Sequence, residues 1–207
     1  MNLRNRTILT LGLIFFVFFI LIAAVSLSVT LSGLDRIEYQ DMHEAVVQTQ
    51  SALNAEAQSL LSTTQDWAWW DDMASYAVRN NTGFIERNAN PENLATVRLH
   101  LFIVLDAGGN VLHSTLLSPD FKTNGSAPAD ILRNIRAQPR LTSLSSSDPG
   151  SSGLLQFPEG SMIVASAPIL LSDKSGPSRG TVVMGRYLDS GPLNRISSVT
   201  GYDVALH

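Results

Sequence analysis

The chain has 207 residues, of which 44% are hydrophobic and 15% charged, enough apolar material for one packed domain with additional segments and too little charge for a disordered chain. A formal net charge of -4 with no Lys/Arg cluster argues against nucleic acid as a partner, because phosphate binding requires a basic face. The absence of cysteine excludes disulfides and thiolate chemistry and is compatible with an exported domain held by its core alone.

Residues 1–6 form a short basic tail, expected to be cytoplasmic. After Arg4 and Arg6 no charge occurs until Asp35, and Ile8 to Val29 is almost wholly apolar. A helix of about 20 residues crosses the hydrocarbon of a bilayer, so residues 7–34 are expected to be a transmembrane anchor. A cleaved signal peptide, with Ala24-Val25-Ser26 as a weak small-residue site, is the alternative, but its apolar core is usually only about 7–15 residues. The arginines before the span place the N-terminus in the cytoplasm and the rest of the chain outside an inner membrane.

Residues 35–65 contain neither proline nor glycine and favour a membrane-proximal signalling helix. Tyr39, Val46, Leu53 and Leu60 recur at heptad spacing, with Met42, Thr49 and Glu56 between them. One stripe is clean and the other mixed, which suits a helix packing on its own domain and, along one edge, on a second copy in a homodimer. A plain amphipathic helix in a monomer is the alternative.

Asp66 to Tyr76 reads Asp-Trp-Ala-Trp-Trp-Asp-Asp-Met-Ala-Ser-Tyr and carries all three tryptophans. On one continuous helix, Trp67, Trp70, Asp71, Ala74 and Val78 share an arc. Asp72 falls with Ser75 and Arg79 on a polar arc, while Trp69, Met73 and Tyr76 make a second apolar strip. Asp71 is therefore expected to be enclosed by aromatics and Asp72 solvated.

Asn81-Thr82-Gly83 breaks the pattern before helical pieces at Phe84 to Asn88 and Pro91 to Val97. Leu99 to Leu105 then alternates as a strand with one apolar and one mixed face, Asp106 to Asn110 forms a hairpin turn, and Val111 to Leu116 returns antiparallel. A helix from Pro128 to Ala137 carries Ile131, Leu132 and Ile135 on one strip. Further strands are expected at Gly153 to Phe157, Met162 to Leu171 and Thr181 to Leu188, then a helix from Pro192 to Val199 and a strand from Tyr202 to Leu206. Together these give an α+β fold, an antiparallel sheet with a long N-terminal helix and helices against that one sheet, leaving a cleft between the two layers.

Asp66-Trp67-Ala68-Trp69-Trp70-Asp71-Asp72 with Tyr76 and Phe84, the Leu101-to-Asp106 strand with Gly109-Asn110-Val111, and Gly185-Arg186-Tyr187-Leu188-Asp189 with Thr200-Gly201 resemble the fourth class of CHASE-type extracellular sensors of bacterial and archaeal signalling proteins. The resemblance covers roughly residues 60 to 205. It implies a PAS-like, Cache-related extracytoplasmic domain over residues 66–207, a second membrane helix beyond His207, and an output module such as a histidine kinase of a two-component system, a diguanylate cyclase or a cyclic di-GMP phosphodiesterase. Met73-Ala74 departs from the family, which often has a second aromatic after the acidic pair.

A carboxylate among indoles calls for a cation, and aromatic faces attract one, so Trp67, Trp70, Asp71 and Tyr76 are candidate ligands for an amine or amino acid. Arg186 shares a strand face with Val182 and Met184; a guanidinium there needs an anion, either from the ligand or from Asp71. The function expected is ligand sensing, with a membrane-tethered protein-docking module built on the tryptophans as the alternative. His43, His100, His113 and His207 show no metal-ligand spacing, and no nucleophile elbow or carboxylate pair occurs, so no metal, cofactor or catalytic residue is assigned.

Overall fold

A computed structural model describes residues 3–79 and 83–188, with side chains described at 11–27, 46–79 and 83–188. The expected helix at 192–199, the strand at 202–206, the break at Asn81-Thr82 and the motif residues Asp189, Thr200 and Gly201 lie outside these residues, as do the side chains of Tyr39 and Met42. The chain divides into two compact units, Met1–Gln48 and Thr49–His207. In the first, residues 11–27 are helical and all exposed, with large apolar side chains on every face. Among the described residues no helix is long and apolar enough to cross a membrane.

The helix α1 runs Leu3–Ala68. Within the second unit its last turns place Leu60, Leu61 and Thr64 in the core, with Leu53 and Ala57 packed at its margin; Val46, which belongs to the first unit, is 65% exposed. The heptad stripe thus serves the chain's own sheet at Leu53 and Leu60. Three short helices follow: α2 (Asp71–Arg79), α3 (Gly83–Asn88) and α4 (Pro91–Thr96). The start of α4 is set locally, with Pro91 in its first turn and the Asn90 side chain accepting the Asn93 N–H at 2.9 Å.

The strands are β1 (Leu101–Asp106), β2 (Val111–Leu117), β3 (Asn124–Gly125), β4 (Ser151–Phe157), β5 (Gly160–Pro168) and β6 (Gly180–Tyr187), in the order β3-β2-β1-β6-β5-β4 and antiparallel throughout. Between β3 and β4 lie α5 (Ala129–Arg136) and α6 (Pro139–Thr142). The expected β1–β2 hairpin is present. The Asp106 Oδ1 accepts the N–H groups of Gly108 and Asn110, both at 2.8 Å, and Gly109 takes the positive φ of 79° that the turn requires.

Helices cover both faces of the sheet, which makes three layers where two were expected. Phe102, Val104, Ala165, Val182 and Met184 face α1 to α4, whereas Leu101, Ile103, Leu105, Val164 and Val183 face Ile131, Ile135 and Leu141 of α5 and α6. The reason lies in β1, β5 and β6, which are apolar in both registers; strands buried on both faces need cover on both. Leu99 precedes β1 and joins the α1 side of the core, not the face of Leu101 and Ile103.

Candidate functional site

The tryptophan stretch is a joint between two helices. Trp69 N–H closes the last turn of α1 on the Gln65 carbonyl at 2.9 Å, and the Trp70 carbonyl opens α2 by accepting Ala74 N–H at 2.9 Å. Asp71 and Asp72 occupy the first turn of α2 and Arg79 its last, each where the helix dipole favours its charge. The single-helix arcs therefore do not hold across the break at Trp69 and Trp70. Asp71 is exposed, as is Asp72, which corrects the expectation of an enclosed carboxylate.

Behind the joint the aromatic rings form one tier. Trp67 stacks on Trp70 with centroids 6.2 Å apart and meets Phe102 edge-on at 5.5 Å. Trp70 meets Phe84 edge-on at 5.9 Å, yet remains 46% exposed. Tyr76 is buried, lies 6.4 Å from the Phe84 ring and donates its hydroxyl to the Leu112 carbonyl at 3.2 Å; burial raises its phenol above the ordinary value. Beyond Phe102 stands His113, ring centroids 6.0 Å apart, whose imidazole is pushed down by burial and whose Nε2 lies 2.8 Å from Thr115 Oγ1. Trp67, Trp70 and Tyr76 thus meet around Phe84 and Phe102. Of these three, only Trp70 is exposed.

Asp71 holds a distant loop. Its Oδ1 accepts the Ser172 N–H at 2.9 Å, while the Ala68 carbonyl accepts Leu170 N–H at 3.2 Å and the Lys174 ammonium lies 4.1 Å above the Trp69 ring. Three contacts within five residues tie the end of α1 to the β5–β6 connection. Sequence reading could not pair these segments, since Asp71 and Ser172 are joined only by the sheet.

Arg186 stands apart from this group. It lies on the face of Val182 and Met184 as expected, but its anion is Glu56 of α1, at 3.3 Å, not Asp71. The same guanidinium donates to the Arg98 carbonyl at 3.0 Å and the Val97 carbonyl at 3.4 Å. This clamps α1 to the α4–β1 junction, where Arg98 adopts a left-handed φ of 55°. The signal for Glu56 was its place in the mixed heptad stripe: an acid among inward-facing positions has a buried partner. Between α1 and the edge strand β4 a cleft of about 340 Å³ opens, lined by Leu53, Ala57, Leu154 and Ile163 among others.

With this geometry in view, the sequence matches the CHASE4 domain over residues 52–207. The chain belongs to the CHASE4 domain family. This is a family of sensor domains, and the chain is a sensory input domain. The CHASE4 match begins on α1 close to where the second unit begins, at Thr49, so the last turns of α1 are part of the domain. Over 206 residues the chain is 26% identical to the methanogenesis regulatory histidine kinase FilI of Methanothrix harundinacea (strain 6Ac), all of this chain aligning with 23% of that protein. Two crystal structures of the periplasmic domain of Vibrio cholerae LuxQ are also similar. One is 15% identical with a TM-score of 0.47, covering 78% of this chain and 69% of that one. The other is 18% identical with a TM-score of 0.41, covering 75% and 70%.

Proposed function

We propose that this CHASE4 domain is the PAS-like, extracytoplasmic input region of a homodimeric membrane receptor, and that it senses a small molecule carrying an ammonium group, an amine or an amino acid. Residues 1–6 are the cytoplasmic tail, 7–34 the anchor, 35–65 the signalling helix and 66–207 the sensor. Support for the anchor comes from the exposed apolar side chains on every face of residues 11–27, a surface that hydrocarbon accepts and water does not. The output module is read as a histidine kinase, after the relative FilI, ahead of a diguanylate cyclase or phosphodiesterase.

The observation that carries the sensing role is the joint, where Ala68, Trp69 and Asp71 bind the end of α1 to the β5–β6 connection. An ammonium group resting on the exposed Trp70 beside Asp71 gains a cation–π contact of about 0.5–2 kcal/mol and competes with Ser172 for the carboxylate. Loosening or tightening that tie displaces the end of α1, and α1 passes the displacement toward the membrane if the ligand favours one of the two arrangements. Trp67 and Tyr76 set the tier on which Trp70 rests. Arg186 holds α1 in register further along.

The test uses amines without a carboxylate, putrescine and choline, titrated into the full chain in lipid nanodiscs and followed by indole fluorescence. A saturable change that is lost in Asp71→Ala, with the circular dichroism spectrum retained, is expected. A change of equal affinity in Asp71→Ala sinks the site. Protein docking through the tryptophans is the second reading, favoured by the 46% exposure of Trp70 alone. It is supported if no amine produces a change while Trp70→Ala abolishes binding of an isolated partner.

A further inference from the structure

On the face of the sheet opposite α1, a cavity of about 390 Å³ opens where three separate segments meet: the β1–β2 turn, the end of α5 with the stretch after α6, and the start of β6. Its size falls within the range of small-molecule sites. The lining is polar, in contrast to the apolar cleft beside β4, and it carries one charge of each sign.

Arg136 stands at the rim in the last turn of α5, exposed, donating one hydrogen bond to the Gly109 carbonyl at 3.1 Å. Asp106 lies on the adjoining wall, half-buried, its Oδ1 used by the turn amides and its Oδ2 accepting Asn110 Nδ2 at 3.0 Å. These donors hold its carboxyl below the ordinary value, so it stays ionised. The ion pairs among the described residues are Lys122–Asp120 and Arg186–Glu56. Arg136 and Asp106 therefore line one cavity without neutralising each other.

Thr181 supplies the third feature. It is only 3% exposed as a residue, sits opposite Leu105 across β1 and β6, and lines the cavity. Its hydroxyl is a polar group that a molecule in the cavity can bond. Beside it, Gly180 lies against β1 so closely that a Cβ would collide with the Leu105 carbonyl oxygen, and its φ of 146° suits glycine alone. The wall there is fixed by backbone.

We propose that this cavity is a binding site for a free α-amino acid, with Arg136 taking the carboxylate, Asp106 the ammonium group, and Thr181 a hydrogen bond at the floor. It is distinct from the tryptophan joint and lies across the sheet from it. Opposed unpaired charges select a zwitterion over either a plain amine or a plain acid, because each half of the ligand answers one of them.

The experiment is isothermal titration of the full chain in nanodiscs with each of the twenty L-amino acids. For any that binds, its N-acetyl derivative and its decarboxylated amine are titrated as well, all three in the Asp71→Ala background so that the tryptophan joint does not contribute. At least one amino acid is expected to bind with submillimolar affinity, and both analogues at least tenfold more weakly. Arg136→Ala and Thr181→Val are each expected to weaken it tenfold or more, with the unfolding temperature retained for the exposed Arg136. Absence of binding by all twenty, equal binding of the N-acetyl form, or unchanged affinity in Arg136→Ala overturns the proposal. Loss in Asp71→Ala with Arg136→Ala unaffected also overturns it, and moves the amino acid to the tryptophan joint.

Discussion

The pair Glu56–Arg186 ties α1 to the sheet through side chains alone, and its removal has a calculable consequence. The two side chains are 20% and 14% exposed, so the pair is mostly desolvated. Fully buried pairs lose about 3–5 kcal/mol when one partner is deleted, and exposed pairs are worth about 0.2–1 kcal/mol. Arg186→Met removes the bonds to Glu56, Val97 and Arg98 together and leaves a carboxylate short of its partner, so a loss of about 2–4 kcal/mol is expected. Glu56→Gln leaves Arg186 its two backbone carbonyls and keeps the shape of the side chain, so about 1–2 kcal/mol is expected. The double variant Glu56→Met with Arg186→Met leaves neither member of the pair facing an absent partner, so its loss is expected to fall about 1–2 kcal/mol short of the summed losses of Arg186→Met and Glu56→Met measured singly. Urea unfolding followed by tryptophan emission measures each variant, the indoles lying in the same unit. Strict additivity, with a coupling below about 0.3 kcal/mol, refutes the clamp and makes the contact an incidental surface pair.

Two further changes test the core behind the joint. Burial lowers the His113 imidazole below its ordinary value of about 6.5, so the unfolded chain binds a proton at a higher pH than the folded one. Stability is then complete above about pH 6.5 and falls as the pH drops, by about 1.4 kcal/mol for each pH unit travelled until the folded imidazole protonates. Urea midpoints at pH 7.5 and 5.5 are expected to converge in His113→Gln, and an equal acid loss in that variant assigns the effect elsewhere. At the centre of the sheet, a Cβ on Gly185 would strike Met162 Sδ and come within 2.9 Å of Leu101 Cβ. Gly185→Ala is expected to destabilise by about 1–3 kcal/mol by overpacking, and a change in urea midpoint equivalent to less than about 0.5 kcal/mol shows that Met162 swings aside at little cost.

Periodicity carried most of the fold and little of the site. The sequence pattern located β1, β2, β4, β5 and β6 within a few residues because each alternates or runs apolar between turn residues. The two-residue β3 and the four-residue α6 are too short to show a period at all. Cover on the second face was legible in principle: both registers of β1 are apolar, and the strip Ile131, Ile135 needs a surface on which to pack.

The break at Trp69 and Trp70 was a different kind of miss. No glycine or proline lies between Gln65 and Met73, and nothing local stops a helix there. The chain ends α1 because the Ala68 carbonyl is taken by Leu170 and the tryptophans pack on Phe102 and Phe84, all contacts to residues outside the two helices. A helical wheel presupposes continuity, so one break moved Asp71 from the inside to the outside. Arg186 illustrates the opposite case. A guanidinium among Val182 and Met184 demanded an anion for reasons of solvation alone, and that demand was met. Chemistry thus specified the kind of partner, while only the packing of α1 on the sheet could select Glu56 over Asp71. The same division holds for the proposed sensing role: the aromatic and acidic residues suit a cation, and the joint is the tie through which its arrival would reach α1.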